Sequence, residues 1–556
     1  MTRIGRRELL AGFLGLPVAL AACRENSVPP LPVGEIVGAS DVFGHRLRDG
    51  LHVEVPADAW TDMPVVIVGG GVAGLSAAWH LQRSGFTDFV LLELEKAPGG
   101  TARSGSNRSF SFPWGAHYIP APMKENTALI SLLDEMGVIE GKDRDGEPVV
   151  AEQFLTRDPE ERIFYKGRWY EGLYLHAGET AEDQQQLEKF NAEMNRWVAW
   201  RDAKGRRAFT LPVSACSDDA EVTALDRISM AEWMNQRGFN SPRLRWWVNY
   251  ACRDDYGMAL EQTSAWAGIF YFCARVLKPG VESQSLITWP EGNGRLVNHL
   301  YEQTKSHIQL DRAAVELNPV SNASTISGDA DRDSDWIEIS TLDRDGRTPR
   351  GYRARHVIFA APQFIARYLI RPYKENPPSH IAEFQFGSWM VANLTLKDRP
   401  KHNSTRDFPL AWDNVLYESE SLGYVVATHQ EGIDRGPTVF TYYYPLCDAN
   451  ARAGRTRLLE TDWRGWADVA LTDLSRAHPE IRNLVERLDV MRWGHAMIRP
   501  RTGFMWGTGR REAAKPYRSI HFAHSELSGV ALFEEAFDHG LRAADEVLSS
   551  IRVSRA

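Results

Sequence analysis

The stretch that most limits what this chain can fold into runs from residue 65 to residue 100. Val65-Val66-Ile67-Val68 is a short apolar run, followed by Gly69-Gly70-Gly71-Val72-Ala73-Gly74 and the helix-forming Leu75-Ser76-Ala77-Ala78-Trp79-His80-Leu81. Phe89-Val90-Leu91-Leu92 is a second apolar run, and Glu93 follows it, 19 residues beyond Gly74. Apolar runs without alternation, joined by a glycine turn and a helix, are expected of buried parallel strands in a β–α–β unit. Gly69 permits the tight turn, Gly71 lets the backbone approach a pyrophosphate, and Gly74 lets the helix pack on the strand. Val72 and Ala73 open the helix, whose free N–H groups and positive dipole end point at phosphates. Glu93 stands where an acid accepts hydrogen bonds from a ribose diol. The chain is therefore expected to hold a dinucleotide.

At 556 residues, with 43% apolar and 25% charged side chains, the composition is that of a globular, core-forming protein. The formal net charge of −9 argues against a nucleic-acid partner and weakly favours cationic small molecules. Residues 1–22 read as an address rather than as part of the fold. They carry the twin arginine Arg6-Arg7, an apolar segment at 11–22 too short to span a bilayer, and the ending Leu20-Ala21-Ala22-Cys23. This is the pattern of a twin-arginine-type lipoprotein signal peptide, with the Cys23 thiol carrying the lipid; the other reading is a plain signal peptide with an incidental cysteine. On the first reading the protein is exported, periplasmic or otherwise extracytoplasmic, and anchored to the membrane through Cys23. Residues 23–62 then form a proline-containing tether and an N-terminal extension. The remaining cysteines, Cys216, Cys252, Cys273 and Cys447, include no C-x-x-C pair, so no metal site is expected.

Three separated stretches read as one discontinuous nucleotide-binding domain: 63–125, 286–370 and 491–552. The second contains a strand that ends in Ala360-Ala361-Pro362, and the third contains Phe522-Ala523-His524-Ser525-Glu526 before a helical pattern over 533–551. Between them lie 126–285, mostly helical, and 371–490, with strand-like runs at 390–396, 423–428 and 439–444. Residues 322–350, rich in Ser, Asp, Arg and Gly, read as a surface hairpin or loop. The expected architecture is α/β: a Rossmann-like nucleotide-binding domain with an interleaved α+β substrate domain, 126–285 and 371–490.

Pro98-Gly99-Gly100 after Glu93, the Pro290-Glu291-Gly292-Asn293-Gly294 turn, Ala360-Ala361-Pro362 and the 522–526 segment together resemble the flavin-containing amine oxidase superfamily, over roughly residues 63–550. That group includes monoamine and polyamine oxidases, L-amino-acid oxidases, protoporphyrinogen oxidases and carotenoid desaturases. The resemblance implies FAD. Gly69, Gly71, Val72, Ala73 and Gly74 would approach its pyrophosphate, and Glu93 its adenosine ribose. Gly99 and Gly100 begin the return loop, where Thr101 replaces the family's arginine and Arg103 would supply the phosphate contact instead. Gly115-Ala116-His117-Tyr118 resembles the turn beside the isoalloxazine. Ala523, Ser525 and Glu526 match the final motif, with His524 in place of its glycine.

Two departures bear on chemistry. By register, the strand lysine that many family members hold near flavin N5 falls on Val391, and no cysteine stands near the final motif for a thioether to the flavin. Non-covalent FAD is expected. The resemblance places His117 and Tyr118 at the flavin edge and Trp389 on the pocket wall. Each also admits a plainer reading as a backbone-bonded or core residue. Alternation places Tyr443 on the face opposite Tyr442 and Tyr444. Asp254 and Asp255 read as ammonium ligands or, more plainly, as a solvated turn or helix cap, and Glu534-Glu535 as helix-end acids. The leading expectation is an FAD-dependent oxidoreductase that takes hydride from an amine to flavin N5, with oxygen or another acceptor downstream. The alternatives are a desaturase or porphyrinogen-oxidase-like enzyme on an apolar substrate, and a non-catalytic envelope flavoprotein or electron-transfer partner.

Overall fold

The computed structural model describes residues 30–320, 336–401, 407–448 and 450–555. The signal segment and Cys23 lie outside the described residues. Trp60–Val68 forms a strand that pairs in parallel with Phe89–Leu92 on one side and with Arg350–Phe359 on the other. Ile308–Gln309 extends the sheet beyond Phe89–Leu92. Arg350–Phe359 divides its pairing. Its first half runs antiparallel to Trp336–Asp343, and its last three residues run parallel to Ile520–Phe522. The three separated stretches thus meet in one seven-stranded sheet. Within 322–350, read as a surface hairpin or loop, Trp336–Asp343 is instead a strand of this sheet, paired with Arg312–Val320; residues 321–335 lie outside the described residues.

Val65–Val68 and Phe89–Leu92 are apolar because both faces of the sheet are covered there. Val65 and Ile67 face a layer built on the helices Val72–Arg83 and Phe533–Arg555, while Val66 and Val68 face the opposite layer. Glycine sets how closely these elements approach. A Cβ on Gly74 would stand 1.9 Å from the Gly69 carbonyl oxygen, and one on Gly540 would stand 2.4 Å from that of Ala73.

The second sheet has eight strands, in the order Ile36–Gly38, Val485–Ile498, Phe386–Leu396, Thr438–Leu446, Gly423–Val426, Asp413–Leu416, Glu161–Tyr165 and Arg168–Glu171. Two expectations need correction. A boundary at residue 491 cuts the Val485–Ile498 strand, which pairs with Phe386–Leu396 almost to its end, so the substrate sheet continues to 498. The segment 30–62 is also more than a tether. Val33 bridges to Arg487, Ile36–Gly38 pairs with Val490 and Met491, and the helix Asp41–Arg48 buries Phe43 and Leu47. The region 126–285 is helical as expected over Thr127–Glu135, Ala181–Ala199, Met230–Gln236, Pro242–Tyr256 and Ala265–Cys273, but it also lends the Glu161–Tyr165 and Arg168–Glu171 hairpin to the sheet. Among the described residues no helix is long and apolar enough to cross a membrane.

Gly540→Ala forces its new methyl group against a backbone carbonyl at 2.4 Å. It is expected to cost about 1–3 kcal/mol, seen as a lower thermal midpoint of the cofactor-free protein. Ala73 also opens the phosphate-facing helix, so weaker FAD binding is expected alongside.

Candidate active site

The nucleotide loops emerge together from the carboxyl ends of neighbouring strands. The helix Val72–Arg83 starts at Gly71 with no side chain capping it, so its first amides are free. The space over Gly71 is open to 4 Å, and Gly100 meets only the Gly71 Cα there. Gly99 donates its N–H to the Gly70 carbonyl oxygen at 2.7 Å and holds the return loop against the first turn. The Glu93 carboxylate accepts the N–H groups of Gly70 at 2.6 Å and Glu95 at 2.7 Å, and burial raises its pKa. Arg103 is half-buried beside the Glu93 and Glu95 charges, with its guanidinium 5.4 Å from the Trp493 ring. Ala523 pairs with the Phe359 carbonyl at the end of its strand, and Ser525 and Glu526 follow in a single buried turn. One Glu526 oxygen accepts the Gln363 N–H at 2.5 Å; the other is buried without a partner. Uncapped amides, open space over a glycine and an orphaned carboxyl oxygen suit a pyrophosphate with its flanking hydroxyls. The residues present therefore fit FAD.

Gly115, Ala116, His117 and Tyr118 lie on the turn between the loop and the substrate sheet. They line a lobe closed by Trp389, Val391, Tyr443, Trp493 and the start of the helix Phe533–Arg555. Trp389 and Val391 point into this lobe because alternate residues of Phe386–Leu396 share a face, while Met390 and Ala392 face the other layer. Tyr443 pairs in register with Val391, and Trp493 with Trp389. Tyr443 donates its hydroxyl to the Gly115 carbonyl at 2.8 Å, whereas Tyr442 and Tyr444 turn away to Asp473 and Glu420. No lysine and no cysteine lines the lobe among the described residues. The His117 ring sits among Tyr118, Trp412 and Tyr443 at 5.1, 5.2 and 5.0 Å between centroids. Burial lowers its pKa to about 4, so it is a neutral imidazole at ordinary pH.

A cavity of about 970 Å³ adjoins this lobe and shares His117, Tyr118, Tyr250, Asp254, Arg275 and Asp413 with it. Its walls carry Asp158, Glu160, Glu161, Glu171, Asp254, Glu282 and Asp413, and Arg275 is the sole arginine or lysine among them. Glu161 and Asp413 are register neighbours on parallel strands. Asp254 lies one turn from Tyr250, whose hydroxyl donates to Asp413 at 3.4 Å. Burial pushes the Glu161 carboxyl up to about 8, with Glu160 and Asp254 adding to the shift. Burial also raises Asp413, reinforced by Glu161 and Asp254, and raises Asp254, reinforced by Asp255. Arg275 is bound to Asp255 at 2.9 Å.

The Arg253–Asp255 run is therefore not a solvated turn: Asp254 faces the cavity, Asp255 holds Arg275, and Arg253 turns outward to the Glu420 and Ser421 carbonyls. Glu534 lines the lobe, where burial pushes it up to about 7. Glu535 points elsewhere and accepts the Val213 N–H at 2.8 Å. Sequence reasoning missed Glu161, Arg275, Trp412, Asp413 and Trp493, which are distant in the chain and carry no local motif. The pairing of Trp389 with Trp493 could have been found only by aligning the two strands.

The sequence matches the family profile described as flavin containing amine oxidoreductase over residues 72–548. Three solved structures share the fold. Putrescine oxidase, wild type bound to putrescine, is 16% identical with a TM-score of 0.61, covering 88% of this chain and 100% of its own. Cyclohexylamine oxidase from Brevibacterium oxydans IH-35A is 14% identical with a TM-score of 0.59 and the same coverage, 88% and 100%. A putative protoporphyrinogen oxidase from Exiguobacterium sp. 255-15 is 16% identical with a TM-score of 0.56, again covering 88% and 100%. No curated protein matches the sequence.

The cavity acids predict a pH-dependent stability. Glu161 holds its proton up to about 8 in the folded chain, against an ordinary 4.5. Between those values the folded chain binds more protons, so this group's contribution falls as pH rises through that window. Glu161→Gln is expected to exceed the wild type by about 2 kcal/mol near pH ~9 and to lose that advantage by pH ~5 in urea unfolding.

Proposed function

The chain belongs to the flavin-containing amine oxidoreductase family, and we propose that within it the enzyme oxidises a cationic amine, of polyamine-like or other primary or secondary type. The observation that carries this reading is the acidic cavity opening onto an aromatic lobe beside the nucleotide loops. An apolar polyene or porphyrinogen would gain nothing from seven wall carboxyl groups and would have to desolvate them. An ammonium compound is drawn in by the same charges.

FAD, when bound, supplies a two-electron hydride acceptor. Gly69 to Gly74, Glu93, Gly99, Gly100 and Arg103 would hold its nucleotide half, with Ala523, Ser525 and Glu526 beside them. Gly115 and Ala116 would border the ring. The substrate enters as an ammonium and must become a neutral amine before its α-carbon can give up hydride. The dry aromatic walls of Trp389, Trp412, Tyr443 and Trp493 favour that neutral form. Asp254, Glu161 and Asp413 hold protons readily at neutral pH, so the released proton has an acceptor close by when one of them is ionised. His117 is too weak a base to take the proton. As a neutral imidazole it orients the amine N–H, and Tyr118 stands beside it. Loss of hydride leaves an iminium, which water converts to a carbonyl compound and the departing amine. The electrons pass to oxygen or another acceptor, and Val391 in place of a lysine favours slow use of oxygen. The lack of a thiol in the lobe supports non-covalent FAD.

We also propose export by the twin-arginine route and a lipid anchor at Cys23, on the strength of residues 1–23.

Anaerobic mixing of the FAD-loaded protein with amines, amino acids, polyamines and polyenes tests the substrate reading. Bleaching of the flavin band by an amine, with peroxide appearing on admission of air, is expected; bleaching by apolar compounds alone would overturn it. For the anchor, Cys23→Ala is expected to move the protein from membranes to the soluble fraction. Retention on membranes would show that Cys23 carries no lipid.

A further inference from the structure

Asn293 occupies the position before the helix Gly294–Thr304, where an asparagine ordinarily caps the helix by accepting one of its first amides. Here it does not. Its backbone is already helical, at φ −65° and ψ −6°, and its side chain makes no capping bond. The residue is clamped instead to the 115–118 turn. Its N–H donates to the Ala116 carbonyl at 3.1 Å, and its Nδ2 donates to the Tyr118 carbonyl at 3.0 Å. The Nδ2 bond fixes the side-chain amide's orientation, because the reverse orientation would set Oδ1 against the Tyr118 carbonyl oxygen. Oδ1 is left buried with no partner, in a residue only 1% exposed.

An orphaned acceptor this deep costs about 1–3 kcal/mol unless something satisfies it. A capping bond has been given up as well. Asn293 lines the lobe together with Thr101, Gly115 and Ala116, on the side where the return loop meets the turn. Thr101 and Ala116 are themselves joined, N–H to carbonyl, at 3.0 Å. The Gly292 turn is locked in place too, since a Cβ there would stand 2.8 Å from the His117 Cα. The unpartnered acceptor thus belongs to a residue clamped at the wall of the lobe.

We propose that Asn293 Oδ1 is a cofactor-positioning group that accepts a hydrogen bond from a donor on the flavin half of FAD, either the ring imide N–H or a ribityl hydroxyl. The inference rests on FAD binding and not on the amine reading, so it stands or falls in a binding experiment without substrate. It assigns Asn293 a role in seating the cofactor, and through the shared turn it couples that seating to the placement of His117.

Two variants isolate the acceptor. Asn293→Leu removes both the donor to Tyr118 and the acceptor; Asn293→Asp removes the donor but keeps an acceptor oxygen. The cofactor-free protein is titrated with FAD, following quenching of flavin fluorescence, and circular dichroism confirms folding of each variant. The Leu variant is expected to bind FAD about 10-fold more weakly, with the Asp variant staying within about 3-fold of the wild type. Titration with riboflavin, which lacks the nucleotide half, is expected to show the same order. Equal weakening in both variants would assign Asn293 to the Tyr118 clamp alone and overturn the proposal. Wild-type affinity in the Leu variant would overturn it as well. If wild type binds FAD but no amine bleaches it, the substrate reading fails and this one is unaffected.

Discussion

The ladder of Arg350–Phe359 holds the functional half of the molecule together. This one strand pairs with Trp60–Val68, with Trp336–Asp343 and with Ile520–Phe522, segments that lie far apart in the chain. The two parallel pairings bring the carboxyl ends of Trp60–Val68, Arg350–Phe359 and Ile520–Phe522 to one edge, and the loops at 69–74, 360–363 and 523–526 leave from that edge. The shared edge explains how Gly69 comes to face the Ala360 carbonyl and how Glu526 reaches the Gln363 amide. The nucleotide site is therefore a property of strand register before it is a property of any side chain. The aromatic lobe depends on it in turn, because the Gly115–Tyr118 turn is pinned to Thr101 at the end of the same loop.

The electrostatics of the cavity oppose stability. Glu161, Asp254 and Asp413 are brought into one enclosed space by a strand, a helix and a second strand, and the nearby arginine is already committed to Asp255. Burial and mutual repulsion keep these carboxyls partly protonated, which spares the fold the full cost of buried charge. A positively charged guest reverses that balance, because it favours the ionised forms.

What was legible in the sequence was local. Gly69, Gly71, Gly74 and Glu93 are read from spacing because a phosphate-binding turn demands those residues within one β–α–β unit. Tyr443 was legible through strand alternation and Val391 through its register with the family's lysine, and the structure pairs the two across neighbouring strands. Glu161 and Asp413 were not legible, since nothing in the chain shows that residues so far apart share a register. Asn293 was visible only as part of a turn; its significance lies in a bond it does not make. The segment 35–62 carried no functional signal because its contributions are structural: an edge strand of a sheet whose other members lie beyond residue 160, and a helix that buries Phe43 and Leu47.

That edge strand sets the order of assembly. Ile36–Gly38 pairs with Val490 and Met491, so a strand near the beginning of the chain is completed by one near its end. A nascent polypeptide emerging from the ribosome carries residues 30–62 long before their partner exists, and closing so long a loop is slow. The substrate sheet cannot zip shut until synthesis is almost finished.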